Sequence, residues 1–251
     1  MAWKAVAIGY RIPRLSLAPP IPASRAVKFG DGRRPAWERR VTGAAIAAIA
    51  VVLASSRLPF GRMSALDWKR HGMELFSQGD VSGSLEQFNK VLDAFPEELP
   101  YLWQRGLSLF YLDRFEEGAA QFREDTKLGN NDSEEALWCF LCEARSYSLE
   151  EARQRIPDTG KDSRAYMNQI YKLYKQGGDP QQQMLGSFLK EDRGQAFFYA
   201  SLYSGLYYEA LGEFEPAKSA IMSACASSYG STSQDYMVSV AKVHCKTRKW
   251  C

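Results

Sequence analysis

The residues best suited to chemistry in this sequence are its cysteines and one neighbouring histidine. Cys139 and Cys142 have the Cys-x-x-Cys spacing of redox-active and metal-binding thiols. His244, Cys245 and Cys251 supply the further ligands that a four-ligand zinc site needs. One interpretation is therefore a thiol-redox or zinc-binding protein that uses Cys139 and Cys142.

The elements that carry these cysteines favour a different interpretation. Cys139 and Cys142 fall inside a helix that we predict over about 134–147, not at a strand-to-helix turn where a thiolate is stabilised. Free cysteines in such positions commonly pack as small apolar residues. The sequence also has no phosphate-binding loop, nucleophile elbow or metalloprotease helix. We predict no enzymatic activity, no cofactor and no bound metal; five cysteines leave one disulfide possible, with its partners open.

The charge is distributed unevenly along the chain. The 251 residues carry a formal charge of +3, but residues 1–40 hold nine Lys and Arg against two acids. From Ser64 onward, 21 Lys and Arg stand against 27 Asp and Glu, a formal charge of −6. Binding of nucleic acid needs a surplus of basic residues that face the phosphates. We therefore predict that the chain does not bind nucleic acid.

The N-terminal part of the chain, 1–63, has the composition of targeting segments. Residues 1–40 have no acid before Asp31 and are rich in Arg, Ala, Pro and Ser, which is typical of a transit peptide. Arg39 and Arg40 then precede an uncharged run, VTGAAIAAIAVVLA, over 41–54. This run is shorter than the roughly 20 residues of a spanning helix. We interpret 41–63 as a twin-arginine-type hydrophobic signal followed by a linker, with a candidate cleavage site after Ser56; a short membrane anchor is the alternative.

The remaining part of the chain contains an internal repeat. Glycine, leucine and phenylalanine each recur at a spacing of 34 residues. The pairs are Gly72 and Gly106, Leu75 and Leu109, and Phe88 and Phe122. We expect each glycine to let the second helix of its unit approach, while the phenylalanine fills the space between the two helices. Gly79 and Asp80 predict a turn between the two helices of the first unit, and Pro96 predicts the end of its second helix.

A third regular unit follows after an irregular middle. Gly205, Tyr208, Gly212, Ala217, Ile221 and Ala224 fit the same positions as the residues of the first two units. Between them we predict helices over about 134–147, 149–155 and 164–175. A last helix within 233–248 would cap the end of the stack. No alternating strand pattern occurs in 64–251, so the predicted class is all-α.

The spacing of these residues resembles that of tetratricopeptide repeat (TPR) proteins, whose period is about 34 residues. The predicted fold of 64–251 is thus a TPR helical-hairpin solenoid with irregular middle repeats and a capping helix. Two regular units, an atypical middle and another regular unit resemble the group related to a bacterial TPR lipoprotein that acts as an adaptor for envelope proteases. Segments such as WCFLCEA and YMVSVAKVHCK also resemble those of chloroplast TPR proteins.

The resemblance implies a binding site and a function. Residues of the first helix in each unit line a concave groove in TPR proteins, and the matching positions here are Lys69, Met73, Phe76, Trp103, Leu107, Phe110 and Tyr111. Met73 stands where the clamp for chaperone tails has Asn, so an apolar peptide or protein is the expected partner. The implied function is a non-enzymatic scaffold or adaptor that assists assembly, maintenance or proteolysis of a thylakoid complex. The expected location is the thylakoid lumen, with membrane association as the alternative, and the resemblance allows a homodimer.

Overall fold

The computed structural model describes residues 64–129, 132–183, 188 and 194–251. The predicted transit-like segment, 1–40, and the predicted hydrophobic signal and linker, 41–63, lie outside these residues. Every regular element in the described ranges is a helix, so the all-α class is confirmed for this part of the chain. The helices are α1 (Ala65–Gln78), α2 (Val81–Ala94), the 3-10 helix η1 (Pro96–Tyr101), α3 (Trp103–Tyr111), α4 (Phe115–Thr126), α5 (Glu134–Ser146), α6 (Leu149–Arg155), α7 (Ala165–Gln176), α8 (Pro180–Gln183), α9 (Gln195–Ala210), α10 (Phe214–Ala226), α11 (Ser228–Thr232) and α12 (Tyr236–Thr247).

Local sequence fixes the first helical hairpin, α1 and α2. The Ser64 hydroxyl accepts a hydrogen bond from the Asp67 amide, and the Asp67 carboxylate accepts one from the Ser64 amide, so two free amides at the start of α1 are satisfied. Gly79 ends α1 with a φ of 93°, a conformation that favours glycine. The Asp80 carboxylate then caps α2 by accepting from the Gly83 amide. The predicted turn at Gly79 and Asp80 is confirmed.

Three hairpins share one close contact between their two helices. In each, a Cβ atom added to a glycine of the first helix would lie under 3 Å from a side chain sixteen residues later. Only glycine therefore allows this approach without a shift of the neighbouring side chain. The predicted role of the glycines and phenylalanines is confirmed. The pairs and their shortest distances are Gly72 and Phe88 (2.8 Å), Gly106 and Phe122 (2.6 Å), and Gly205 and Ile221 (2.6 Å).

A second contact recurs between successive hairpins. The hydroxyl oxygens of Ser84 in α2 and Ser108 in α3 lie 3.0 Å apart, and both residues are buried. One repeat later, a Cβ added to Gly118 in α4 would lie 2.9 Å from Sγ of Cys142 in α5. The separation along the sequence is the same in the two pairs. Helix α5 therefore packs on α4 in the same register as α3 packs on α2.

Phe140 explains why the middle of the chain departs from the repeat. It stands one repeat length after Gly106, where a repeating pattern would have glycine. Its ring packs against Tyr174 of α7, with ring centroids 5.1 Å apart. The following helix, α6, has only seven residues. The three helices predicted for the middle are confirmed within one or two residues, as α5, α6 and α7.

A partly buried ion cluster joins α5 and α9 to the loop before α7. Arg164 donates hydrogen bonds to Asp162 (2.8 Å), Asp132 (2.7 Å) and Glu134 (2.5 Å). The Tyr203 hydroxyl donates to the other oxygen of Glu134. Burial and the charge of Asp132 raise the pKa of Glu134 to about 8. Burial alone would raise the pKa of Asp162 as well, but the Arg164 hydrogen bonds hold it below its usual value. The Arg164 guanidinium therefore favours the ionised form of Asp162, whereas burial works against ionisation of Glu134.

Helix α12 packs against both α10 and α1. A cap on the last hairpin is predicted within 233–248, and the contact with α10 agrees with it. The contact with α1 is not predicted from the sequence, because a helix at the far end of an open stack would not reach the first hairpin. Asp235 caps α12 by accepting from the Met237 amide, and it also accepts from the hydroxyls of Tyr199 and Tyr229.

Candidate binding face

Helix α12 covers the aromatic part of the predicted groove. The ring of Tyr236 lies 5.7 Å from that of Phe76 in α1 and 5.5 Å from that of Trp103 in α3. Phe76 also packs edge-on against Tyr111, at 5.6 Å. Phe76 thus contacts Tyr111 directly, and Tyr236 connects it to Trp103. The aromatic side chain that packs between Phe76 and Trp103 is therefore Tyr236 of this same chain.

Four of the seven predicted groove residues are buried. Phe76 and Leu107 have no exposed surface, and Phe110 and Tyr111 have 4% and 9%. Phe110 packs against Trp138 of α5 and Phe115 of α4, at 5.2 and 5.6 Å between ring centroids. Because these side chains belong to the core, they cannot contact a partner unless α12 or a neighbouring helix moves.

The other three predicted residues keep some exposed surface. Trp103 is half-buried and packs on the main core. Met73 is half-buried and packs against a smaller cluster, made of Phe88, Val91 and Leu102. The Lys69 ammonium forms an ion pair with Glu98 of η1, at 2.5 Å, and its side chain is 21% exposed. We call Lys69, Met73 and Trp103 the accessible margin.

A buried polar network holds the other end of α12. The Tyr111 hydroxyl lies 3.2 Å from Nδ1 of His244, and Nε2 of His244 lies 2.8 Å from a Glu209 oxygen. Arg248 donates to the second Glu209 oxygen, at 2.7 Å. Burial lowers the pKa of His244 despite the neighbouring Glu209. Burial alone would raise the pKa of Glu209, but His244 and Arg248 hold it below its usual value. The network therefore contains a neutral imidazole and an ionised carboxylate at neutral pH.

The Cys-x-x-Cys pair lies in the core and not in an accessible site. Cys139 and Cys142 are fully buried and free. Burial raises the pKa of the Cys139 thiol to about 12, and burial likewise raises that of Cys142 well above its usual value. A thiol that stays protonated is a poor nucleophile. Their placement agrees with the predicted packing role, with Cys142 as the residue that meets Gly118.

The proposed zinc ligands do not converge. Cys245 and Cys251 are paired with each other as a disulfide, which withdraws both from a ligand set with Cys139 and Cys142. Across the described ranges, no group of three or more His, Cys, Asp and Glu side chains has an arrangement that could hold a metal ion.

One cleft was not anticipated from the sequence. It has a volume of about 270 Å³ and lies along α9 and α10 beside Pro180. Tyr208, Pro216 and Ser223 line it, together with Ser204, whose buried hydroxyl has no hydrogen-bond partner. The lining contains no charged side chain and no metal-ligating group. Nothing in the spacing of these residues along the sequence could have indicated the cleft.

Neither the protein-family models nor the curated proteins contain a match to this chain. Within the described ranges, no helix combines the length and apolar character needed to cross a bilayer.

Proposed function

We propose that this chain is a non-enzymatic TPR-type scaffold or adaptor that binds a protein partner. The recurring contacts carry this proposal. One contact recurs within each regular hairpin and another between hairpins, each at a fixed sequence separation, as a stack of equivalent helical pairs requires. Helical stacks of this kind bind peptides and proteins through side chains on their faces.

The proposed binding surface is the accessible margin, with α12 beside it. Lys69 offers a charged group, whereas Met73 and Trp103 offer apolar surface that is already half-buried. Aromatic residues at the centre of a contact often dominate binding energy. Phe76, Leu107, Phe110 and Tyr111 support this surface from beneath. The partner we propose is an apolar or amphipathic peptide segment. Tyr236 of α12 already packs against Phe76 and Trp103, and an apolar side chain of a partner could pack beside them in the same way.

We propose that the scaffold acts in the thylakoid lumen during assembly, maintenance or proteolysis of a membrane complex. The support is the composition of 1–63, with its transit-like leader, paired arginines and uncharged run. An anchored or peripheral form at the thylakoid membrane, and a homodimer, are the variants of this proposal. The thiol-redox alternative at Cys139 and Cys142 has less support, since both thiols are buried and have raised pKa values.

The test is capture of lumenal proteins by matched variants of the full chain. Lys69→Ala with Trp103→Ala changes the accessible margin, and Lys127→Ala changes an exposed lysine just after the end of α4. Circular dichroism and thermal unfolding first establish that both variants are folded. We expect the double variant to retain about tenfold less of a specific partner than wild type. Equal retention by both variants would contradict the proposed surface, and the absence of any partner that wild type enriches would contradict the scaffold.

A further inference from the structure

The exposed cysteine, Cys251, lies four residues after the end of the last helix, α12. Cys139 and Cys142 are fully buried, and Cys225 is half-buried with its thiol pKa raised by burial. Cys251 is exposed and is paired with Cys245, which has no exposed surface. A disulfide in which one cysteine is exposed can undergo thiol exchange at that cysteine.

Local backbone geometry brings these two cysteines together. Helix α12 ends at Thr247, and Lys249 then takes a φ of 57°, in the left-handed region. The chain reverses there, and the Trp250 amide donates to the Cys245 carbonyl at 2.9 Å. The Cα atoms of Cys245 and Cys251 consequently lie 5.7 Å apart, within the range that disulfides span. We call residues 248–251 the reversal.

The reversal covers the buried network at the end of α12. The ring of Trp250 lies 5.4 Å from that of His244, and Arg248 bonds to Glu209. His244 in turn contacts Tyr111 of α3. A left-handed conformation is unfavourable for a lysine, so the hydrogen bonds and packing of the reversal must offset it. A covalent link between Cys245 and Cys251 adds to them by excluding open conformations of this short loop.

We propose that the Cys245–Cys251 disulfide is a reversible thiol-exchange site that fastens the reversal over His244. A thiolate of a dithiol reductant attacks Sγ of Cys251, and the bond to Cys245 breaks. The electron pair goes to Sγ of Cys245, which takes up a proton. The second thiolate of the reductant then attacks the mixed disulfide and releases Cys251, which also becomes a thiol. The protein thus gains two electrons and two protons, and the dithiol becomes a disulfide.

Reduction removes the covalent restraint but leaves the three remaining cysteines unchanged. The reversal then opens more often, and water reaches His244, Glu209 and the last turn of α12. This site does not depend on the proposed scaffold function. The test of this site measures whether the sulfurs of Cys245 and Cys251 are oxidised or reduced, and how often the local backbone hydrogen bonds open.

The experiment uses the full chain purified without reductant. Free thiols are alkylated in acid-quenched, denatured protein, and the labelled peptides are identified by mass spectrometry. Hydrogen exchange of residues 244–250 is then compared before and after treatment with dithiothreitol. Cys251→Ser is the test variant, and Cys225→Ser is the matched control, since it removes a cysteine outside the pair.

We expect Cys245 and Cys251 to be protected from alkylation until dithiothreitol is added. Reduction should speed amide exchange in 244–250 about tenfold in wild type and in Cys225→Ser. Cys251→Ser should exchange at the fast rate with or without reductant. Alkylation of both Cys245 and Cys251 without reduction would overturn the proposal, and so would amide exchange that reduction leaves unchanged.

Discussion

The hydroxyl of Tyr111 lies 3.2 Å from Nδ1 of His244, although 133 positions separate the two residues. Since His244 has no exposed surface and its pKa is lowered by burial, the imidazole is neutral and its Nδ1 can accept a hydrogen bond from the Tyr111 hydroxyl. The other ring nitrogen then carries the hydrogen that faces Glu209. This arrangement links α3, α9 and α12 through one titratable group.

Neutral His244 makes stability depend on pH. In the folded chain its pKa lies below the ordinary 6.5, so the unfolded chain binds the proton more readily. The free energy of unfolding therefore loses the His244 contribution as pH falls below about 6.5, with a slope of at most about 1.4 kcal/mol per pH unit. Urea unfolding of wild type and His244→Gln between pH 8 and pH 5 isolates this contribution as the difference between the two proteins.

The matched control is His71→Gln, because His71 is the other histidine and is exposed. We expect the free energy of unfolding of His71→Gln to change with pH as steeply as that of wild type. That of His244→Gln should change less steeply. Identical slopes for all three proteins would show that His244 is not a buried neutral group.

Gly106 tests the close contact within the hairpins. Gly106→Ala places a methyl group 2.6 Å from the Phe122 ring, so we expect a loss of about 1–3 kcal/mol in the free energy of unfolding. Phe122→Leu shortens the side chain and should reduce this loss when both changes are combined. A double-mutant cycle by urea unfolding measures the coupling. Additive effects would mean that the two residues do not meet as described.

The contribution of Glu134 to the free energy of unfolding should change with pH in the opposite direction to that of His244. Its pKa of about 8 in the folded chain is above the ordinary 4.5, so the folded state holds a proton that the unfolded chain releases. Stability due to this group is complete below about pH 4.5 and is lost as pH rises through about 8. Glu134→Gln keeps an oxygen that can accept from Arg164, places an amide donor beside the Tyr203 hydroxyl, and does not titrate. We expect its unfolding free energy to fall less than that of wild type between pH 6 and pH 9.

The exposed Glu116→Gln is the control for this comparison. It should follow the wild-type profile. If Glu134→Gln lost stability with rising pH as steeply as wild type does, Glu134 would already be ionised at pH 6.

The contact between Phe76 and Tyr236 contributes to the packing of α12 on α1, and substitutions of these two residues test it. Phe76→Ala removes a fully buried ring and should cost about 3–5 kcal/mol. Tyr236→Ala should remove part of the same contact, because the two rings lie 5.7 Å apart. We expect a coupling of about 0.5–1.5 kcal/mol in the double-mutant cycle. A coupling near zero, measured by thermal or urea unfolding, would indicate that α12 does not rest on α1.

The regular hairpins were predictable because local sequence determines them. Glycine permits close approach, an aromatic or branched side chain sixteen residues later fills the gap, and Gly79 with Asp80 ends one helix and starts the next. These rules act over short distances along the chain. These local rules predicted the contacts of Gly72, Gly106 and Gly205. Residues that favour helix starts likewise predicted α5, α6 and α7.

The placement of α12 was not predictable in the same way. Its contacts with Phe76 and Tyr111 depend on the sum of the rotations between all preceding helices, which no short motif records. The cluster around Arg164 was missed for a related reason, since Asp132, Glu134 and Tyr203 come together only after α5 and α9 pack. Groove residues inferred by position alone therefore included four that are buried.

Crosslinking in isolated intact chloroplasts tests the central claim, a partner-binding scaffold in the lumen, most directly. The chain is affinity-purified after crosslinking, and mass spectrometry identifies both the linked peptides and the mature N-terminus. The account predicts one partner in stoichiometric amount, crosslinks that include Lys69, and an N-terminus just after Ser56. Recovery of the chain without a partner, with the uncharged run of 41–54 still attached, would contradict it.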